Sequence, residues 1–335
     1  MCPICVKAEY IRKKINNSDT PLLQVHRLQQ QLRTYEIHKL CKERQAEAFK
    51  RQCVNLGPDE CIIVADFKQN IKLGGGPVET NHDFYHRRQV SVLDFAVISR
   101  APDATTHTRH YCFVSPILSH DSLFAGKCLL RLTAKPWLRQ FRSVHIWTDC
   151  GPHFRSAEMM HVVHRRLAPL FPGMVSSNFF AEYHGKNICD SFFGVISRWL
   201  SDAEKCERVD TIPDLIRVLK SKTSTSRNID AQFIVYERPQ GRGTVHKLKI
   251  AHFYLYMSFA TVQGGGCVSG CVSSTFRGAD YAVLEASECV EVDTRKTKYA
   301  PEHSQPADLG NAFGAHITRT LHERYNIAST ILNAK

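Results

Sequence analysis

The chain has 335 residues, of which 43% are hydrophobic and 23% are charged, so it can build a packed core and is not globally disordered. Lysine and arginine outnumber aspartate and glutamate by 44 to 32, and the resulting net charge of +12 favours a polyanionic partner such as nucleic acid. The first residues form no apolar signal stretch, and no run approaches the roughly 18 apolar residues of a membrane span, so we expect a soluble, intracellular and reduced protein.

The first 57 residues are predicted to form a basic helical segment. From Pro21 the chain has no further Gly or Pro until about residue 54, and apolar residues recur at helical spacing, which predicts one long helix. Cys2 and Cys5 precede it as a Cys-x-x-Cys pair, which is half of a zinc site. No second pair follows at the usual spacing, so a structural Zn²⁺ here is an alternative rather than the expectation. Other ligands available nearby are His26, His38 and Cys41.

Residues 58–225 are predicted to form an α/β core, in which helices flank a mixed five-stranded sheet. Three strands joined by short connections come first and β-α-β units follow, which implies both antiparallel and parallel neighbours. The predicted strands cover 61–65, 89–99, 110–116, 143–147 and 175–181. The predicted helices cover 121–133, 154–167, 190–200 and 213–222.

Residues 226–335 are predicted to form a mostly β extension that ends in a helix. Two β-rich runs, 232–238 and 245–259, are separated by a turn rich in Pro and Gly, which predicts a β-hairpin. A glycine-rich loop follows at 264–271, and a last helix is predicted near 313–332.

Three aspartates occupy positions at which a charged side chain seldom lies without a partner. Asp66 ends the first predicted strand, Asp149 ends the fourth, and Asp190 begins the helix after the fifth. Carboxylate oxygens gathered at one sheet edge suit Mg²⁺ or Mn²⁺, and two such ions can promote phosphodiester chemistry. Each aspartate taken alone could equally be a turn or helix cap.

The sequence around these aspartates resembles a known family. The segments are Val64-Ala-Asp66-Phe, then Trp147-Thr-Asp149-Cys-Gly-Pro-His-Phe-Arg155, and then Phe179-Phe-Ala-Glu-Tyr-His-Gly-Lys-Asn-Ile-Cys-Asp190. They are similar to the core of eukaryotic DDE/D transposase-derived proteins, which share the RNase H-like fold with retroviral integrases. That family places one acid on the first strand, one after the fourth strand, and one on the helix after the fifth. The likeness covers about residues 59–205.

The resemblance implies a DNA transposase, which nicks DNA strands and transfers them. It implies that Asp66, Asp149 and Asp190 are catalytic and hold two Mg²⁺ or Mn²⁺ ions. The implied partners are transposon ends and target DNA, the implied location is the nucleus, and a homo-oligomer is compatible with this function. Two alternatives stay open. One is a catalytically silent, domesticated transposase that binds DNA or protein, and the other is a different RNase H-like nuclease.

Further site residues are expected around the three acids. Glu182 is a rival third carboxylate, but Asp190 is preferred because it lies on a helix. His184 and Lys186 are expected to position the substrate, although a hydrogen-bonded loop histidine is an equal alternative for His184. Candidate contacts to DNA phosphates are Arg87, Arg88, Arg155, Arg165 and Arg166.

Overall fold

The structure is a computed structural model of the chain. It describes residues 2–17, 21–78, 87–182, 184, 187–238, 243–261, 268–271, 282–293 and 295. Lys186 and the helix predicted near 313–332 lie outside the described residues. In the part of the chain that is described, no helix is both long and apolar enough to cross a membrane.

The architecture is mixed α/β and is built on one large sheet and one small sheet. The strands of the large sheet are β1 (Glu60–Leu73), β2 (Arg88–Arg100), β3 (Thr106–Ser115), β4 (Ser143–Thr148), β5 (Val175–Phe179), β6 (Asp230–Val235), β8 (Ser258–Thr261), β9 (Val268–Cys271) and β10 (Ala282–Leu284). The small sheet pairs β7 (Thr244–Ile250) with β11 (Ala286–Val292). The order across the large sheet is β10-β9-β8-β5-β4-β1-β2-β3-β6.

The large sheet is mixed, as the sequence predicts. β1, β2 and β3 are antiparallel neighbours, whereas β4 and β5 run parallel to β1. The C-terminal segment adds strands at both edges, because β6 pairs with β3 and β8 pairs with β5. Among the described residues the sheet therefore has nine strands rather than the five predicted. The extension continues the hydrogen bonding of the core and adds to the same sheet.

The helices are α1 (Pro3–Ile15), α2 (Leu22–Val54), α3 (Ser122–Thr133), α4 (Ala157–His161), α5 (Ile188–Glu204) and α6 (Ile212–Thr225). α1 packs against α2, and the others contribute residues to the sheet's hydrophobic clusters. A π-helical turn over Val162–Leu167 prolongs α4. The long helix predicted from residue 21 to about 54 is confirmed by α2, whereas α1 was not predicted.

Two hydrophobic clusters lie on opposite faces of the sheet. Alternate residues of β1 enter them, so that Ile63 and Ala65 pack with α3 and α4, while Ile62 and Val64 pack with α5 and α6. The C-terminal half of α2 packs on this second face. Because both faces are covered, the first half of β1 is buried throughout, which explains its uninterrupted apolar run.

Three predicted elements differ from the structure. The last four residues of the loop predicted at 264–271 form strand β9, which pairs with β8 and β10. β1 continues past Asp66 to Leu73, with a bulge between Lys68 and Ile71, because its second half still pairs with β2. Asp66 therefore lies inside a strand and not at its end. The hairpin predicted over 232–259 is wrong, since β6 pairs with β3 and β7 pairs with β11. A turn signal between two strands does not determine which partners they choose.

Candidate functional site

Two parallel strands, β4 and β5, end at one edge of the large sheet, and the neighbouring strand β1 continues past it. β1, β4 and β5 run in one direction, so their carboxyl ends point the same way. Ala65 pairs with Thr148, which places the next residues, Asp66 and Asp149, at the same level on adjacent strands. The chain leaves β5 at this edge and enters α5, whose first turn carries Asp190. Ligands of open α/β sheets bind at such an edge.

Asp66 is the half-buried member of this group. Its Oδ2 accepts a hydrogen bond of 3.2 Å from Nδ2 of Asn187. Burial, followed by the negative charges of Asp149 and Asp190, raises the pKa of Asp66 to about 7. Carboxylates from three separate elements are therefore close enough to influence one another electrostatically.

Asp149 lies directly after β4, and 40% of its side chain is exposed. Its Oδ1 accepts a hydrogen bond of 2.9 Å from the backbone N–H of Gly151 and lies 3.5 Å from Nε2 of His153. Burial opposes ionisation, but His153 and the Gly151 N–H outweigh it and lower the pKa of Asp149. This carboxylate is therefore ionised at neutral pH. His153 lies within the motif around Asp149, but its role was not predicted from the sequence.

Asp190 is exposed and belongs to the capping box of α5. Its Oδ2 accepts a hydrogen bond of 3.1 Å from the backbone N–H of Asn187, the N-cap residue. The side chain of Asn187 in turn accepts from the N–H groups of Cys189 and Asp190. Asn187 thus contacts both Asp66 and Asp190 and restricts the position of one carboxylate relative to the other. The role of Asn187 was not predicted from the sequence, although an Asn three residues before an acidic residue at a helix start is a capping signal.

The raised pKa of Asp66 predicts an unusual pH dependence of stability. The folded chain holds this proton up to a pH of about 7, whereas an unfolded chain releases it near the ordinary value of 3.8. The free energy of unfolding should therefore fall as pH rises between these two values, because the unfolded state binds fewer protons there. We expect Asp66→Asn to remove this decline in denaturant titrations without added divalent metal. Identical pH profiles for both proteins would contradict the assignment.

The donor set of the three aspartates consists of oxygen atoms alone, which suits Mg²⁺ or Mn²⁺. Within the described part of the chain, only one group of three or more metal-ligating residues has all its donor atoms within 4.8 Å of one another, and it contains cysteines and histidines instead. The three carboxylates are thus spread more widely than the ligands of a single compact ion. A pair of ions roughly 3.5–4 Å apart needs such a wider spread.

Glu182, the rival third carboxylate, lies in a turn beyond the end of β5. It is half-buried, and it is not among the groups that raise the pKa of Asp66. Asp190 is among them. The electrostatics therefore favour Asp190 over Glu182 as the third acid.

His184 lies in a different cluster from the one expected. Its Nε2 is 3.4 Å from Sγ of Cys5, and its ring centroid is 5.2 Å from that of His38. Nε2 of His38 is 3.5 Å from Sγ of Cys2. These four side chains are the compact group of metal-ligating residues, here called the Cys/His cluster. No second pair for Cys2 and Cys5 is visible at the usual spacing in the sequence, because His184 follows His38 only after 146 residues.

The predicted DNA contacts divide between the interior and the surface. Arg155 is only 7% exposed, and its guanidinium donates to the carbonyl oxygens of Tyr254 and Tyr256 at 3.2 and 2.7 Å. Arg155 therefore anchors the C-terminal segment, and its burial argues against contact with a DNA phosphate. Arg165 is paired with Glu288 of β11 at 2.5 Å. Arg166 is exposed.

Arg87 directly precedes β2, and Arg88 begins it. Arg88 pairs with Leu73, seven residues along the strand from Asp66, in the second half of β1. That half carries Lys68, whose Nζ lies 5.7 Å from the ring centroid of Phe193 in α5, and the exposed Lys72. Lys68, Lys72 and Arg87 line one groove against α5. We call these two lysines and two arginines the basic arm.

A buried polar pair, Asp94 and His110, lies on the strands next to Asp66 and was not predicted from the sequence. Asp94 pairs with Asp66 across β1 and β2, and its side chain is 0% exposed. Its Oδ2 accepts a hydrogen bond of 2.7 Å from Nδ1 of His110, and its Oδ1 accepts one of 3.2 Å from Sγ of Cys112. The His110 ring stacks on the ring of Phe192 in α5, with 4.0 Å between the two ring centroids. Asp94 therefore has its own partners and a structural role beneath the site.

Comparison with known proteins gives one match. The model of a family described as Domain of unknown function (DUF8701) matches residues 45–249, which is more than half of the chain and includes all three aspartates. No curated protein and no solved structure matches the chain.

Proposed function

The chain belongs to the DUF8701 family, and we propose that it is a metal-dependent polynucleotidyl transferase of the DDE/D type with an RNase H-like core. The observation that carries the proposal is the electrostatic coupling of Asp66 to Asp149 and Asp190, which with burial raises the pKa of Asp66 to about 7. Perturbed carboxylates that converge at a sheet edge are typical of functional sites. The same three residues match the acids of the transposase resemblance.

The charge of the three acids supports divalent cations as cofactors. Asp66 keeps its proton up to about neutral pH because it is buried and because two other carboxylates are close, and a cation between them would replace that proton. Asp66, Asp149 and Asp190 would hold two Mg²⁺ or Mn²⁺ ions. Such ions, when bound, activate water or a 3′-hydroxyl and stabilise the leaving oxygen in phosphodiester cleavage.

The surrounding residues would keep these ligands in place. The N–H of Gly151 and the ring of His153 hold the Asp149 carboxylate in its ionised form. Asn187 donates to Asp66 through its side chain and to Asp190 through its backbone. These contacts orient each carboxylate before any substrate is bound, which lowers the reorganisation that binding requires.

The basic arm supports DNA as the substrate. Lys68 is two residues from Asp66 on the same strand, and the groove that it lines with Lys72 and Arg87 runs along α5. Lysine and arginine along a strand that leads away from an acidic site can hold the phosphate backbone without reading sequence. Arg88 and Arg166 remain proposed phosphate contacts on the surface. A nuclear location would follow from the same function.

A catalytically silent binding protein is the second candidate. Each of the three carboxylates already accepts a hydrogen bond from the chain, from Asn187 or Gly151. These contacts would also stabilise a site that binds no metal. Binding of DNA without metal-dependent turnover would favour this candidate.

The proposal is tested by titrating Mn²⁺ into the wild-type chain while thermal stability and nicking of supercoiled plasmid are followed together. We expect thermal stability to rise, because a ligand that binds only the folded state stabilises it by about 2.7 kcal/mol at 100 times its Kd. We expect nicking to rise as well, because the ions would promote phosphodiester cleavage. Joining of a cut 3′-end to a second plasmid would extend nicking to strand transfer.

Other outcomes would point elsewhere. Cleavage of RNA–DNA hybrids without nicking of DNA would favour the RNase H-like nuclease. Stabilisation by Mn²⁺ without cleavage of either substrate would favour the silent candidate. The absence of both effects would contradict metal binding by the three aspartates.

A further inference from the structure

We propose that Cys2, Cys5, His38 and His184 form a structural Zn²⁺ site that ties the N-terminal helices to the loop before α5. Their donor atoms all lie within 4.8 Å of one another. Two thiolates and two imidazoles are a common ligand set for structural zinc. The site is separate from the three aspartates and does not depend on the function proposed for them.

The distances within the Cys/His cluster suit a tetrahedral ion. Zinc bonds of about 2.3 Å to sulfur and about 2.0–2.1 Å to nitrogen place neighbouring S and N ligands about 3.6 Å apart at the tetrahedral angle. The observed separations are 3.5 Å between Cys2 Sγ and His38 Nε2, and 3.4 Å between Cys5 Sγ and His184 Nε2. Two isolated S–H···N hydrogen bonds would explain each pair but not why both pairs meet at one point.

The placement of the ligands is typical of a structural ion. Cys2 is the N-cap residue of α1, and Cys5 lies in its first turn, so both thiols lie at the same end of one helix. Cys2 is 5% exposed and His38 is 2% exposed, whereas Cys5 and His184 are half-buried, so two of the four ligands are shielded from solvent. Four protein ligands complete the tetrahedron, so no position is open for a substrate.

A metal ion at the Cys/His cluster would anchor the N-terminal helices to the core. In α1 only Ile4, Ala8 and Ile11 are buried apart from the cluster, and Leu22 and Leu23 at the start of α2 are 90% and 91% exposed. The firm contacts of α2 begin further on, where Gln45 Nε2 donates to the carbonyl oxygen of Phe179 at 2.7 Å. An ion at the cluster would link α1 and the middle of α2 to the core.

The link would also act on the loop that leads to the acidic site. His184 lies three residues before Asn187, which contacts Asp66 and caps α5. Zinc at the cluster would anchor this loop at His184 and so restrict the position of Asn187. His184 is then a ligand of the ion and not a group that touches the substrate phosphate.

The test is the metal content of the full chain and the visible spectrum of its Co²⁺ form. We expect one zinc ion per chain on elemental analysis. Co²⁺ in its place should give the intense visible bands of a tetrahedral site and the charge-transfer band of two thiolate ligands. Cys5→Ser and His184→Ala should lose the metal, and the midpoint of thermal unfolding should fall by about 10 °C.

Conservative and control variants keep the test decisive even if a variant folds poorly. His184→Cys should keep one zinc ion, because three thiolates and one imidazole also form a structural site. Cys206→Ser, at an exposed cysteine outside the cluster, and Asp66→Asn should keep zinc as well. A wild-type chain that binds neither zinc nor Co²⁺ would overturn the proposal. So would zinc that survives in Cys5→Ser but is lost in Asp66→Asn.

Discussion

The Asp149→Asn variant is expected to keep its fold but to lose Mn²⁺-dependent nicking of supercoiled DNA by roughly 10³-fold or more, since metal coordination contributes several kcal/mol. The contacts of Asp149 with Gly151 and His153 lower its pKa, so it contributes a full negative charge at neutral pH. A neutral amide of the same shape can still accept the Gly151 N–H but cannot neutralise a cation. The measurement is the initial rate of plasmid nicking at saturating Mn²⁺, with circular dichroism as the check of folding.

Matched variants separate the roles of the neighbouring acids. Asp190→Asn should lose nicking as Asp149→Asn does, whereas Glu182→Gln should retain it. Asp202→Asn is the control on the same helix as Asp190, because Asp202 only pairs with Lys205 on the surface. Wild-type rates in Asp149→Asn would refute the assigned site. Loss of activity in Glu182→Gln but not in Asp190→Asn would show that Glu182, and not Asp190, is the third acid.

The second large effect is expected on stability. His110→Ala should lower the free energy of unfolding by about 3–5 kcal/mol, because it leaves the carboxylate of Asp94 buried without its main partner. Asp94 is completely buried, and the remaining hydrogen bond from Cys112 comes from a weak S–H donor. The substitution also removes the ring that stacks on Phe192 of α5. Denaturant unfolding at neutral pH measures the change.

The control for this prediction is His107→Ala on the same strand. His107 is exposed, so its removal should change the free energy of unfolding by no more than about 0.5 kcal/mol. The Asp94→Ala/His110→Ala double variant should be less destabilised than the sum of the two single variants, since the two residues contact each other. A loss below about 1 kcal/mol in His110→Ala would show that Asp94 does not depend on this histidine.

The sequence by itself determined the local elements and the three acids. The uninterrupted helical spacing of α2 and the apolar run of β1 depend on nearby residues alone, so periodicity predicts them well. Asp149 and Asp190 stand where the motifs place them, directly after β4 and in the first turn of α5. The mixed character of the sheet also followed, because short connections and β-α-β units restrict the directions of neighbouring strands.

Only the tertiary structure decided which distant residues meet. Asn187 reaches Asp66 across 121 positions of sequence, and His184 reaches Cys5 across 179. The burial of Arg155 depends on carbonyl groups about 100 residues further on, and no charge pattern distinguishes it from an exposed arginine. Strand partners such as β3 and β6 are likewise chosen by open sheet edges and not by the turns between strands. The physical reason is that local propensity acts over a few residues, whereas ligand sets, buried pairs and sheet edges are completed by packing across the whole chain.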